Sequence, residues 1–158
     1  MPGARYHIAD EPTPGAWAAW AVSPFWPMLA TMLAGSWLGA PWFVVNAIAL
    51  GSATRGREIG WAVASVAGSL ALALALVLAA GRALVPGPAV RYVVVLITAW
   101  RLFAAYRAYA DQAASAELHQ HFGGALRNGA PIALLGMFLP LDRALGEAAW
   151  FFHLVLGG

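Results

Sequence analysis

The residues of this chain best suited to chemistry are ionisable side chains within long apolar segments. Arg101 lies in the stretch ITAWRLFAAYRAY, between apolar and aromatic neighbours. A charged side chain is costly to bury in such surroundings and needs a counter-ion or a water-filled cavity. Asp142 and Glu147, in the last apolar segment, are predicted to pair with Arg101 if the two segments lie antiparallel. Arg143 lies between these two carboxylates.

The sequence leaves two interpretations of these polar residues open. In the first, they line a path for an ion or a small solute, formed by Arg101, Asp142, Arg143, Glu147 and the amide of Asn46. In the second, the charged pair only fixes the register of neighbouring helices, or Arg101 extends toward a polar boundary. Asn46 also has a simpler use, because Pro41 leaves a helix carbonyl free to accept a hydrogen bond.

Histidines provide the only motif that resembles a metal site. His119 and His121 alternate in the segment ELHQH, so they could share a metal only on an extended backbone, since on a helix they point about 200° apart. The chain has no cysteine, which excludes disulfides and thiolate ligands. We find no nucleophile–base pair and no phosphate-binding loop, and we expect no cofactor and no catalysis.

Small residues at a spacing of four occur in two apolar segments. Gly35 and Gly39 form a GxxxG motif, and Ala64 and Gly68 form a related pair. Such pairs let two helices approach closely in a membrane. They predict either packing within the chain or association with another copy.

Composition places these motifs in a bilayer. The 158 residues are 61% hydrophobic and 10% charged, with a mean hydropathy of +0.70, whereas soluble domains are about 25% charged. The nine cationic residues are all arginines and form no basic run, which argues against nucleic-acid binding. We therefore predict an all-α integral membrane bundle of about four transmembrane helices.

The predicted domain organisation is simple. Residues 1–23 form a tail without a signal peptide, and Trp17 and Trp20 in it suit a membrane interface. Residues 24–158 form one transmembrane domain, with spans predicted at about 24–52, 59–81, 90–110 and 130–156. Pro41 is expected to kink the first span, and the last is either one kinked helix or two pieces. Arginine placement favours both termini outside the cytoplasm.

Two segments resemble a loosely defined group of small, uncharacterised, polytopic bacterial inner-membrane proteins. The first is LAGSWLGAPWFVVNAIALGSATRGREIGWA, with matches at Gly35, Gly39, Asn46, Leu50, Gly51, Arg55 and Arg57. The second is AELHQHFGGALRNGAPIALLG, with matches at His121, Gly123 and Gly124. The resemblance implies a multi-pass inner-membrane protein and carries no activity. The charged stretch LDRALGE departs from the group's pattern.

Three functions are compatible with these features. The first is a non-catalytic subunit that binds partner helices or itself in a membrane complex, including a pore-like oligomer. The second is a small transporter or channel with a polar path at Arg101, Asp142 and Glu147. The third is a membrane enzyme acting on lipid or quinone. The expected partners are the lipid bilayer and other membrane helices.

Overall fold

The computed structural model describes residues 16–82, 86–139, 146 and 149–157, and this part of the chain is helical without a β-strand. After a 3-10 turn at Ala18–Trp20, the α-helices are α1 (Phe25–Leu33), α2 (Ser36–Ala49), α3 (Arg55–Gly81), α4 (Val90–His121), α5 (Ala130–Phe138) and α6 (Ala149–Leu156). The prediction of an all-α fold is confirmed.

Two of the described helices, α3 and α4, are long and apolar enough to cross a membrane. They correspond to the predicted spans 59–81 and 90–110, and they pack against each other. The described helices do not confirm a bundle of four spans. The region after Asp111 also differs from the prediction of a polar connector, because α4 continues to His121. Ala, Glu, Leu and Gln, all good helix formers, fill this extension.

The predicted first span is instead two short helices joined by a tight turn. Gly35 separates α1 from α2 and has a φ of 96° and a ψ of 175°, a conformation that is essentially restricted to glycine. Pro41 lies inside α2 and does not break it. The break therefore comes six residues earlier than the predicted kink, at the residue that can adopt the turn.

The two short helices run antiparallel, as a hairpin. Gly39 in α2 lies against Thr31 in α1, where even a methyl side chain would overlap the threonine. Farther from the turn, the backbone N–H of Val22 donates a hydrogen bond of 2.9 Å to Oδ1 of Asn46. The start of α1 and the end of α2 consequently lie together. We call this end of the molecule the Arg57 end, and the opposite end the Arg91 end.

The last predicted span, 130–156, contains two short helices among its described residues. Gly129, just before α5, lies against Trp26 near the Arg57 end, and Gly136 lies against Leu38 near the hairpin turn. Helix α6 packs its apolar side chains on the Arg91 halves of α3 and α4. Both helices thus extend over only part of the length of α3 and α4.

Small side chains let these elements approach closely. Gly68 of α3 lies under the indole of Trp100 in α4, and any side chain there would overlap the ring. The Trp100 Nε1–H donates a hydrogen bond of 2.9 Å to the carbonyl of Ala64. The predicted small-residue pairs thus make contacts inside the chain: Gly35 and Gly39 in the hairpin, Ala64 and Gly68 at the interface of α3 and α4.

Candidate functional site

A network of buried amides joins the hairpin to α4. Asn46 and Gln112 are 1% and 0% exposed. The Asn46 Nδ2 donates to Gln112 Oε1 at 2.9 Å, and Gln112 Nε2 donates to the Phe43 carbonyl at 2.7 Å. With the bond from Val22, all four polar side-chain atoms of the pair are used. Asn46 therefore bonds to another helix and to the entering chain, rather than to carbonyls freed by Pro41.

Arg101 lies where three elements meet, about 15 Å along α4 from Asp111 at 1.5 Å per residue. Its guanidinium lies against Gly157, just after α6, where a side chain would overlap it. Gly157 in turn lies against Gly35 at the turn of the hairpin. The end of α6, the turn between α1 and α2, and the Arg101 side chain thus form one contact, which we call the Arg101 junction.

The guanidinium of Arg101 has few polar partners among the described residues. Its Nη2 donates a long hydrogen bond of 3.5 Å to the Thr98 hydroxyl. Its Nη1 is buried and has no hydrogen-bond partner. The predicted counter-ions Asp142 and Glu147, and also Arg143, lie outside the described residues, so their pairing with Arg101 stays a prediction.

One stripe along α4 is polar or small in its side chains and is buried over most of its length; it consists of Arg91, Thr98, Arg101, Ala105, Ala108 and Gln112. Ala105, Ala108 and Gln112 are each no more than 4% exposed. Arg101 is half-buried, whereas Arg91, at the start of the helix, is exposed. The stripe therefore faces the neighbouring helices from its middle to the Arg57 end.

A second buried polar cluster lies at the Arg57 end, where the chain turns from α2 into α3. Glu58 is fully buried, and its Oε1 accepts hydrogen bonds from the hydroxyls of Ser52 and Thr54, the latter at 2.7 Å. The Ser115 hydroxyl, from α4, donates to that of Ser52 at 2.9 Å. The other carboxylate oxygen, Oε2, is buried and has no hydrogen-bond partner among the described residues. We call these four residues the Glu58 cluster.

An ion pair lies beside this cluster and closes the same end of the molecule. Arg57 donates two hydrogen bonds of 2.8 Å to the carboxylate of Asp111. The Asp111 side chain is only 9% exposed, whereas that of Arg57 is 60% exposed. The pair ties the first turn of α3 to α4.

The two histidines lie in the last turn of α4, so they are helical and do not point toward one metal. The His119 ring packs on Gly124, and His121 makes an edge contact with Phe122. No group of three or more His, Cys, Asp or Glu side chains that could hold a metal ion occurs in the part of the chain that the structure describes. The extended backbone that a shared metal requires is not present.

An open cleft of about 510 Å³ lies beside the last turns of α4. It is lined by Trp26, Tyr109, Glu117, Gln120, Arg127 and Asn128, among others. The loop after α4 forms one wall, held by a hydrogen bond of 2.8 Å from the Arg127 N–H to the Ala21 carbonyl. The Arg127 guanidinium also lies over the Trp20 ring.

The sequence analysis did not single out the Glu58 cluster. Ser52, Thr54 and Glu58 occur in the stretch SATRGRE, which has the appearance of a short arginine loop. The sequence contained one signal for this cluster: the acid Glu58 follows Thr54 by four residues at the start of a helix. Because α3 begins at Arg55, Glu58 lies one turn inside the helix and faces inward.

Comparison with protein-family models, with curated proteins and with solved structures found no match to this chain.

Proposed function

We propose that the chain is a multi-pass membrane protein of the cell inner membrane, with two complete spans and four shorter α-helices among its described residues. Its exterior supports this proposal. The most apolar windows of α3 and α4 are only 28% and 17% buried within the protein, whereas the central helix of a soluble protein is mostly buried. Large apolar side chains face outward, and the interior contains alanine, serine, amides and an acid.

The hairpin changes the predicted orientation. The start of α1 lies beside the end of α2. The start of the hairpin is therefore at the Arg57 end, together with the loops that follow α2 and α4. That end has Arg55, Arg57, Arg107 and Arg127, and the other end has Arg82 and Arg91. The positive-inside rule then favours the Arg57 end in the cytoplasm. This replaces the expectation that the N-terminal segment lies outside.

We propose further that the protein is a small transporter or channel for anionic solutes, with Arg101 as the binding group. Halfway along α3 and α4, the hairpin turns and α6 ends, so non-helical backbone lies at mid-depth. Such backbone is tolerated in a membrane only where protein covers it or where it lines a water-filled cavity. Transporters bind their substrates at interrupted helices of this kind.

The observation that carries this proposal is the buried, unpartnered Nη1 of Arg101 at that junction. An intramembrane cation with an unused donor is suited to an anion, because a guanidinium binds carboxylates and phosphates through paired N–H groups. The positive end of α2 begins at Ser36, at the same junction, and also favours negative charge.

Two membrane-spanning helices cannot enclose a path for a solute by themselves, so we expect several copies of the chain to assemble. The described small-residue motifs already pack within the chain. The outward face of α4 is therefore the surface available for assembly, with Tyr92, Leu96, Phe103 and Tyr106 exposed. The same face of α4 also supports a second candidate function, in which the chain is a non-catalytic subunit that binds a different membrane protein.

Anion flux in reconstituted vesicles tests the proposal. Vesicles with the purified protein and an internal halide-sensitive dye should take up chloride faster than empty vesicles. Arg101→Met should reduce that rate about tenfold or more, because a hydrogen bond to a charged group contributes about 1.5–3 kcal/mol. Arg91→Met is the matched control on the same helix, since Arg91 is exposed at the membrane end, and it should retain the rate.

Two results would contradict a path at Arg101: no uptake above empty vesicles, or equal uptake by wild type and Arg101→Met. Native mass spectrometry in mild detergent then separates the two candidates. A homo-oligomer supports a transporter formed by several copies. Co-purification with a different chain, together with absent flux, supports the non-catalytic subunit.

A further inference from the structure

We propose that the Glu58 cluster is a binding site for a monovalent cation, with Na⁺ as the ion it fits. Ser115, the residue of the cluster on α4, is about 21 Å from Arg101 along the helix axis at 1.5 Å per residue. The site goes beyond the proposed anion path and does not depend on it. Four oxygen-bearing side chains converge there from the loop before α3, from α3 itself and from α4.

The hydroxyl protons of the cluster are all directed toward the carboxylate. Thr54 donates to Glu58 directly, and Ser115 donates to Ser52, which donates to Glu58. A hydroxyl has one proton to donate and two lone pairs that can accept or coordinate. The Ser52 oxygen also accepts a hydrogen bond of 3.1 Å from the Thr54 N–H, so both of its lone pairs are used. The hydroxyl oxygens of Thr54 and Ser115 keep lone pairs available to a cation.

The charge of Glu58 lacks a balancing partner. The side chain is fully buried, and it makes no ion pair with another described residue. The nearest arginine in sequence, Arg57, is engaged by Asp111. An isolated buried charge is far too costly to leave uncompensated. The unpartnered Oε2 marks where the compensating charge binds.

Of the two helix ends at this position, the end of α2 favours a cation, whereas the start of α3 favours the Glu58 carboxylate. Helix α2 ends at Ala49, just before Ser52, and a helix C-terminus carries partial negative charge. Transporters bind Na⁺ at the C-terminal ends of short helices together with polar side chains. Glu58 itself lies in the first turn of α3, where a negative side chain is favoured.

The ligand set favours a monovalent ion over Mg²⁺ or Ca²⁺. Divalent sites usually combine several carboxylate or carbonyl oxygens, and Glu58 is the only acid in this cluster. One carboxylate balances one positive charge. Hydroxyl and carboxylate oxygens are hard ligands, which suit a hard cation rather than a soft transition metal.

Equilibrium binding of ²²Na⁺ to the full chain in detergent tests the site without requiring transport. Wild type should bind Na⁺ saturably, at about one ion per chain, with displacement by Li⁺ and none by choline. Glu58→Gln should weaken binding at least tenfold, and Ser115→Ala should weaken it less. Glu117→Gln is the matched control, because Glu117 is exposed on α4 at the same end.

The outcomes separate clearly. Saturable binding that Glu58→Gln removes and Glu117→Gln retains supports the site. Wild type that binds no Na⁺ between pH 6 and 9 overturns it, and so does binding unchanged by Glu58→Gln. If Glu58→Gln does not fold, the Na⁺ affinities of wild type and Ser115→Ala are compared instead. Equal affinities would overturn the proposal. A protein that binds Na⁺ but shows no chloride flux would contradict only the proposed anion path.

Discussion

The Asn46–Gln112 network and the Arg101 junction lie on the same side of α4, yet they use their polar atoms differently. Gln112 and Arg101 are about 16 Å apart along the helix at 1.5 Å per residue. The amide pair is fully buried, and each of its polar side-chain atoms has a partner. At the junction, one guanidinium nitrogen is buried without any.

This difference separates a structural role from a functional one. A satisfied network of neutral amides fixes which helices pack together, and it leaves no atom for a ligand. A buried charge with an unused donor adds little to stability, but it remains available to bind. The amides should therefore determine the fold of the hairpin, and Arg101 should determine what the protein binds.

The largest effect is expected from Gly35, where the hairpin meets the junction. Gly35→Ala forces a side chain into a glycine-only conformation and into the backbone of Gly157. We expect loss of most of the folded protein, measured as the monodisperse fraction in size-exclusion chromatography. Gly60→Ala is the control, because a methyl group there meets no other atom. A fully folded Gly35→Ala variant would contradict the hairpin turn.

Gln112→Leu should cost about 2 kcal/mol of unfolding free energy, because it leaves the Asn46 amide buried without its acceptor. Thermal unfolding of the purified protein in detergent measures the loss. Leu102→Ala, on the outward side of α4, provides the comparison and should cost less. An unchanged unfolding temperature for Gln112→Leu would show that the network does not hold the hairpin.

Arg57→Gln should cost no more than about 1 kcal/mol, since Arg57 is mostly exposed and solvent screens its pair with Asp111. The unfolding temperature measured at low and at high salt gives the result. Wild type should lose stability with salt more than the variant does. A loss as large as that of Gln112→Leu would place the ion pair among the main supports of the fold.

Arg101→Met should leave stability unchanged or raise it, because methionine buries a similar length of side chain without the charge. The same unfolding measurement provides the test, beside the flux assay. A loss of about 3–5 kcal/mol would instead be the signature of a buried ion pair broken on one side. That result would support the pairing with Asp142 or Glu147 predicted from sequence.

The sequence was sufficient to predict α3 and the apolar part of α4, because each contains an apolar segment of the required length. It was not sufficient for the polar extension of α4 to His121. Nor was it sufficient for the hairpin. A turn made of Ala34 and Gly35 adds no charge and no polarity, so hydropathy cannot distinguish two short helices from one long span. The glycine was noticed for its small size, whereas its backbone conformation is what divides the segment.

The candidate site was only partly predictable for a related reason. Arg101 stands out because its neighbours in sequence are apolar. Glu58 has arginines and polar residues as its neighbours, and only the packing of α2, α3 and α4 buries it. Tertiary packing determines which polar residues are buried away from water. A single sequence reveals such a residue only when the segment around it is apolar throughout.

In the proposed membrane placement, the hairpin also has a consequence for how the chain enters the bilayer during synthesis. Both ends of the α1–α2 pair stay on one side, and its turn contains nothing charged. The pair can therefore insert from that side without moving a hydrophilic loop across. The α3–α4 pair must instead carry Arg82 and Arg91 through the hydrocarbon region. We therefore expect the second pair to depend on translocation machinery more than the first pair, which is synthesised before it.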